Sequence, residues 1–418
     1  MPNLIPDSIA RLDAWLDTMR SAQGYGGPVS HWWDSLLFYC GAQLDWRYEG
    51  ILCGYINLYR RTNDPRWLAK AARACDDLVA GQDADGAFWN SSFEHGPEKG
   101  GTPHEAAACI GLLETVSAMR ADRPSAYLEC ADRSIDRAIR LLWNGAGFQD
   151  QAYNPVLVAN KNATMLEALL LYQHTARIDV ARYIDAAAQV VIAAQVAEGV
   201  RAGATIHRGT FDYQISFGIY TARCVGAICR LMESDPRREY RLFVTGAARY
   251  LETLITTAGT LFGHYADERL IQSPRWIAPS GDLLRALISA RAWIEVDENK
   301  IAALAQMIVA AQTPGGGIPT SYGLFARGAV KSPHGLPGFR DVLPVAGWCD
   351  KSFRALTMLG AAADSAPLAP YETACIWRGV ECIFSEDRAA MILKTLQGKT
   401  LFHWIKGEMY PAIMELWD

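Results

Sequence analysis

Residues 47–89, RYEGILCGYINLYRRTNDPRWLAKAARACDDLVAGQDADGAFW, decide the fold. The first part, EGILCGYINLYRR, is apolar on nearly every side, as a helix buried all round must be. A Thr-x-Asp turn follows, and Asp64-Pro65 sets an acidic cap before a proline at the first helical position. The next part, PRWLAKAARACDDLVAGQ, is amphipathic, closes on Gln82 and runs into an Asp-Gly-aromatic loop. Units of this kind recur about every 55–65 residues, and a single hairpin cannot bury its own apolar face. Apolar helices are predicted to start near Glu49, His104, Asn162, Phe217, Ser280 and Trp348. Amphipathic helices are predicted near 6–22, 65–82, 124–143, 178–197, 236–258 and 297–313, with Asp235-Pro236 marking a start like that at Asp64-Pro65. Six pairs closing into a ring give an all-α barrel with an inner and an outer ring of helices. Each helix of about 17 residues spans about 25 Å. The loops gather at one mouth, where function is expected.

The barrel is expected to occupy residues 1–369. From about Tyr371 the segments GVECIF, AAMILKTL, TLFHWI and AIMELW are short and apolar, with turns at Ser385-Glu386-Asp387 and Gln397-Gly398-Lys399. They read as antiparallel strands of a small β appendage over residues 370–418.

Composition narrows the function. The 418 residues are 50% hydrophobic and 20% charged, with net charge -5. There is no basic stripe, so no nucleic-acid partner is expected. No apolar run reaches the roughly 18 residues of a membrane span. The opening MPNLIPDSIARLDAWL lacks the charged and apolar regions of a signal peptide, so a cytoplasmic location is expected. The ten cysteines are then expected to be reduced, small buried hydrophobes. No CxxC and no His/Cys cluster with zinc spacing occurs. Neither metal nor cofactor is expected.

The loops combine aromatics with carboxylates and amides. Sugar rings stack apolar faces on Trp and Tyr, and their hydroxyls need polar partners. Candidates for that binding are Tyr25, His31, Trp32, Trp33, Trp89, Asn160, His207, Arg208, Tyr213 and Trp276. Glycosyl transfer needs two carboxyl groups in different environments, one kept protonated. Asp34 follows two tryptophans, and an aromatic wall raises a carboxyl pKa by desolvation. Glu94 has no evident capping duty. These two are the first candidates for the acid/base pair, with Glu49, Glu105 and Asp212 behind them. Glu49 and Glu105 also suit first helical turns, where a carboxylate meets the helix dipole. Loop six, from Gly315 to Gly347, is long enough to fold over the mouth.

Residues 47–89 and 158–195 resemble the repeat of the six-hairpin glycosidase superfamily, the (α/α)6 barrels, and are similar to its unsaturated-uronide hydrolases. The resemblance implies a carbohydrate-active enzyme, foremost a glycosidase acting on an oligosaccharide, with lyase and epimerase activities as alternatives. In a lyase His207, Tyr213 and Arg208 would take the leading roles. The uronide hydrolases carry an Asp where this chain has Asn160 or Asn162. A second likeness is to terpene cyclases and prenyltransferases, toroids whose repeats also run from Gln into Gly-aromatic loops. Asp83-Ala84-Asp85-Gly86 lacks the final acid of the cyclase Asp-x-Asp-Asp motif. A third alternative is a non-catalytic glycan-binding toroid, which a mouth of wholly salt-bridged carboxylates would favour.

Overall fold

The computed structural model describes residues 4–29, 38–40, 42–88, 101–119, 125–176, 178–207, 214–313, 315–322, 344–364, 374–377, 380–384, 390–395, 397–398 and 400–405. The outer helices are α1 (Leu4–Thr18), α3 (Pro65–Ala80), α5 (Ser125–Leu142), α7 (Ala181–Ala193), α9 (Arg238–Leu254) and α11 (Glu298–Ala310). They alternate with the inner helices α2 (Arg47–Thr62), α4 (Ala106–Met119), α6 (Ala159–Ala176), α8 (Gly218–Met232), α10 (Ser280–Ala290) and α12 (Ala346–Leu359). Each inner helix packs on the next, and α12 returns to α2, closing the ring. None of these helices is long and apolar enough to cross a membrane.

The two rings differ as their sequences require. In α4 every residue from Ala106 to Val116 is buried. In α3 only Trp67, Ala71, Ala74, Cys75 and Leu78 are buried, one stripe at helical spacing. Asp64 caps α3 by accepting from the Arg66 amide at 2.9 Å. The similar Asp235-Pro236 does not cap: α9 starts at Arg238, and Asp235 pairs with Arg237 at 2.7 Å. The competing ion pair takes the carboxylate away from the helix end.

The glutamines that close the repeats staple neighbouring outer helices. Gln82 donates to Gly86 O at 3.2 Å and to Cys130 O of α5 at 2.8 Å. Gln195 donates to Gly203 O at 3.1 Å and to Phe243 O of α9 at 2.9 Å. Gln312 donates to Gly316 O at 2.7 Å and to Ser8 O of α1 at 3.0 Å, which closes the outer ring. One amide thus holds the loop turn and the next hairpin together.

Inner helices approach closely where a side chain is missing. A Cβ on Gly281 of α10 would lie 2.3 Å from the carbonyl carbon of Lys351 and 2.4 Å from the amide of Ser352 on α12. Backbone cannot give way as a side-chain tip can. Gly281→Ala is therefore expected to cost about 1–3 kcal/mol, read as a lower urea midpoint at unchanged slope.

Strands were expected only at the C-terminus, but the loops at the mouth also build sheet. Three hairpins pair β1 (Arg20–Ser21) with β2 (Gly24–Tyr25), β3 (Gly27–Val29) with β4 (Phe38–Cys40) and β5 (Gln149–Gln151) with β6 (Asn154–Leu157). A five-stranded antiparallel sheet comprises β7 (Ile215–Phe217), β8 (Ile255–Thr256), β9 (Gly259–Tyr265), β10 (Leu270–Trp276) and β11 (Ser321–Tyr322). Its order is β11-β10-β9-β7, with β8 also on β9. Loop five is thus a β-hairpin, and the helix expected over 236–258 ends at Leu254.

At the C-terminus, β12 (Ala374–Trp377), β13 (Val380–Phe384), β14 (Ala390–Thr395) and β15 (Thr400–Ile405) form an antiparallel meander. Three expected segments coincide with β13, β14 and β15. β12 was not anticipated, and AIMELW lies outside the described residues.

Candidate active site

Inner helices begin where outer helices end, so their first turns ring the loop-bearing mouth. Charged side chains meet along the barrel axis beneath it. Glu49, in the first turn of α2, accepts from Arg223 of α8 and Arg354 of α12. Arg354 also donates to Glu167 of α6 at 2.8 Å, and Arg285 of α10 reaches the same carboxylate at 3.1 Å. All five residues are buried. Burial opposes ionisation of Glu49, but the Arg223 and Arg354 charges prevail and bring its pKa down to about 2. Glu49 is therefore a pinned anion that ties helices together, and its proton is already gone.

The mouth floor lies over this network. His104 stands in a 3-10 turn, Pro103–Glu105, just before α4. Its Nδ1 is 3.4 Å from Thr164 Oγ1, and the Thr164 hydroxyl also accepts from Arg223 Nε at 3.1 Å. Desolvation lowers the His104 pKa well below 6.5, and the Arg223, Lys161 and Lys351 charges push the same way. The ring is held as a neutral imidazole. Trp46 faces His104 at 6.5 Å between ring centroids and Trp348 at 4.9 Å. The Lys351 ammonium lies 4.7 Å from the Trp46 ring centre.

Two aspartates complete the floor. Asp350 bonds Lys351 at 2.7 Å, yet burial pushes its carboxyl up to about 8. Asp282, in the first turn of α10, is also raised by burial, against the pull of Lys351, Arg285 and Arg223. No hydrogen bond or ion pair reaches the Asp282 carboxyl from the described residues. A neutral imidazole, a carboxyl biased towards its protonated form and a cationic floor can accept a proton, donate one and hold a developing oxyanion.

The residues expected from sequence fall into three groups. Asp34, Glu94, Asp212, His31, Trp32, Trp33, Trp89, Arg208 and Tyr213 lie outside the described residues. Tyr25 and Trp276 are buried in the core. The Tyr25 hydroxyl meets that of Tyr55 at 3.3 Å, and Trp276 backs Trp348 with ring centroids 6.0 Å apart. Neither offers a face to a sugar, because each completes packing behind the mouth. Glu105 bonds Arg137 of α5 at 2.9 Å, and Asp150 bonds Lys161 at 2.7 Å. Among the described residues, Asn160 and His207 of the expected binding residues have unused polar atoms outside the packed core. Asn160 Oδ1 and His207 Nδ1 are buried without a hydrogen-bond partner among the described residues. Burial, followed by the Lys161 charge, brings His207 to about 4. Asn162 instead clamps loop three, accepting from the Phe148 amide at 2.9 Å and donating to Phe148 O at 2.8 Å.

Arg223, Asp282 and Lys351 were not picked out from sequence. Their signal was present: charged residues inside otherwise apolar inner helices, which are rarely buried without partners or purpose.

No family model matches the chain, and no curated protein sequence matches it. Solved structures do. Cellobiose 2-epimerase from Bacillus thermoamylovorans B4167 shares 12% identity, with TM-score 0.63 over 86% of this chain and 99% of that one. An unsaturated glucuronyl hydrolase specific for heparin shares 11%, with TM-score 0.56 over 85% and 95%. ent-Copalyl diphosphate synthase from Streptomyces platensis shares 15%, with TM-score 0.50 over 76% of this chain and 50% of that one. At such identities the likeness is one of fold. The chain has the (α/α)6 toroid fold that these structures share, as its repeats predict.

Proposed function

We propose that this chain is a carbohydrate-active enzyme whose mouth catalyses proton transfer at a sugar carbon next to a carbonyl or carboxylate, an epimerase, isomerase or lyase chemistry. The observation that carries this reading is His104, a neutral imidazole on a floor bearing Arg223 and Lys351. A general base must be unprotonated at working pH, and an enediolate needs nearby positive charge. Trp46 and Trp348 pack on each other beside His104 and make an apolar backing for that ring. Broad likeness to sugar-processing toroids supports the substrate class. The isoprenoid alternative is weaker: Asp83–Gly86 is a turn, in which Asp85 accepts from the Ala87 amide at 3.2 Å and pairs with Arg137. The proposal assigns activity to residues 1–369, treats 370–418 as an appendage and places the protein in the cytoplasm.

A glycosidase is the second reading, favoured by Asp282, whose raised carboxyl suits a general acid. It requires a second carboxylate, and Asp34 or Glu94 would supply it.

Incubation of mono- and oligosaccharides with the enzyme in D2O separates the two. Proton transfer is expected to place deuterium at the carbon beside the carbonyl, or to give the ultraviolet absorbance of a new double bond, without water-derived reducing ends. Release of reducing ends with no deuterium on carbon would replace it with hydrolysis. In that event Asp34→Asn should slow turnover by about 10²–10⁴-fold.

A further inference from the structure

Among the described residues, two aromatic side chains are exposed: Tyr153, at 71%, and Tyr322, at 57%. The outer helices bury theirs, as Trp67 of α3, Tyr127 of α5, Tyr183 of α7 and Tyr240 of α9 show. Scattered exposed aliphatic residues are ordinary. Both exposed rings, however, stand on hairpins that border the mouth.

Each of these hairpins is held in place. Tyr153 lies in the two-residue turn between β5 and β6. Asp150 of β5 ties that turn down, accepting from Asn154 Nδ2 at 3.0 Å and pairing with Lys161 of α6 at 2.7 Å. Tyr322 belongs to β11, the edge of the mouth sheet, in register with Arg275 of β10. Residues paired across antiparallel strands share a face, which puts Arg275 on the face that carries Tyr322. The amides of Ile277 and Ala278, just before α10, bond Thr320 O and Pro319 O at 3.0 and 3.1 Å and hold β11 against the mouth.

The two rings stand on far sides of the toroid. β6 leads into α6, whereas β11 lies over the start of α10 and precedes α12. In the closed order of inner helices α6 and α12 are opposed. Helices packed 8–10 Å apart place opposed axes of such a ring about 20 Å from each other.

We propose that Tyr153 and Tyr322 are outlying glycan subsites, so that the substrate is a polysaccharide chain that crosses the mouth and overruns it on both sides. A tyrosine face stacks on the apolar face of a sugar while its hydroxyl stays in water. A chain that touches both rings is several sugars long, and the sugar between them lies over His104. This inference rests on the carbohydrate reading and not on which reaction the mouth performs.

Calorimetric titration of the whole protein with disaccharides and octasaccharides of the cello-, manno- and galacturono-series tests it. In one series the octasaccharide is expected to bind roughly tenfold or more tightly than the disaccharide. Tyr153→Ala and Tyr322→Ala should each weaken the octasaccharide roughly three- to tenfold, leave the disaccharide unchanged and combine additively in the double variant. Both positions are exposed, so these variants should fold. Tyr153→Phe and Tyr322→Phe should bind as wild type, because the ring face makes the contact. An octasaccharide affinity unchanged in either alanine variant overturns the proposal, as do equal affinities for short and long chains in every series. Deuterium uptake by a sugar that binds in that way would still uphold proton transfer at the mouth. Binding of no series would overturn the carbohydrate reading and this inference with it.

Discussion

Glu49→Ala is expected to destabilise the barrel by about 3–5 kcal/mol, because it strands two buried arginines. Arg223 and Arg354 come from α8 and α12, and both converge on the one Glu49 carboxylate. Removing it leaves Arg223 a 3.9 Å contact to Glu167 as its one remaining carboxylate among the described residues, beside its hydrogen bond to Thr164, and makes Arg354 rely on a Glu167 already shared with Arg285. Replacing a whole buried ion cluster by apolar groups can be harmless, but removing one partner is not. Urea denaturation at pH 7 measures the loss. A wild-type midpoint with abolished activity would instead make Glu49 a chemical group rather than a structural one.

The same carboxylate fixes an acid dependence. Its folded pKa lies near 2 against an ordinary 4.5. A depressed carboxylate contributes stability above its unfolded pKa and loses it as pH falls through the folded one. Wild-type stability should therefore drop between about pH 4.5 and 2. Glu49→Ala should lose less over that window, since the group that titrates is gone.

Helices were legible because their determinants are local. The all-round apolarity of α4 and the single stripe of α3 can be read from neighbours in sequence, and so can the recurring Gln. What each Gln does was not legible, because Gln312 bonds Ser8 across 304 positions. The mouth sheet was hidden for a related reason. Gly263 has φ 147 because its missing Cβ would fall 1.7 Å from Ser216 O on the paired strand β7. Alone, that glycine reads as a loop. Among carboxylates the limit is sharper. Glu49 looked like an acid near a helix start, but its partners lie 174 and 305 residues away. Asp282 looked like part of a helix start because its setting is made by Lys351 and Arg223, from other hairpins.

His104→Asn is expected to lower turnover by about 10²–10⁴-fold while leaving the denaturation midpoint within about 0.5 kcal/mol of wild type. Asparagine keeps a polar side chain beside Thr164 and Trp46 but has no titratable ring, so the loss should be felt in chemistry. The pH profile provides a stricter test than the rate. A base must be deprotonated to act, so activity falls when pH drops through its pKa. Desolvation sets that pKa well below 6.5, with Arg223, Lys161 and Lys351 adding to the effect. kcat/KM should thus be flat through neutrality and decline only well into acid. Lys161→Met removes one of the depressing charges, which raises the His104 pKa and moves the acid limb to higher pH. His207 shares the Lys161 influence, so the profile must be repeated in His207→Asn. A limb that still moves with Lys161→Met in that background belongs to His104. A limb that stays fixed, together with wild-type turnover in His104→Asn, would pass the proton transfer to the carboxylates.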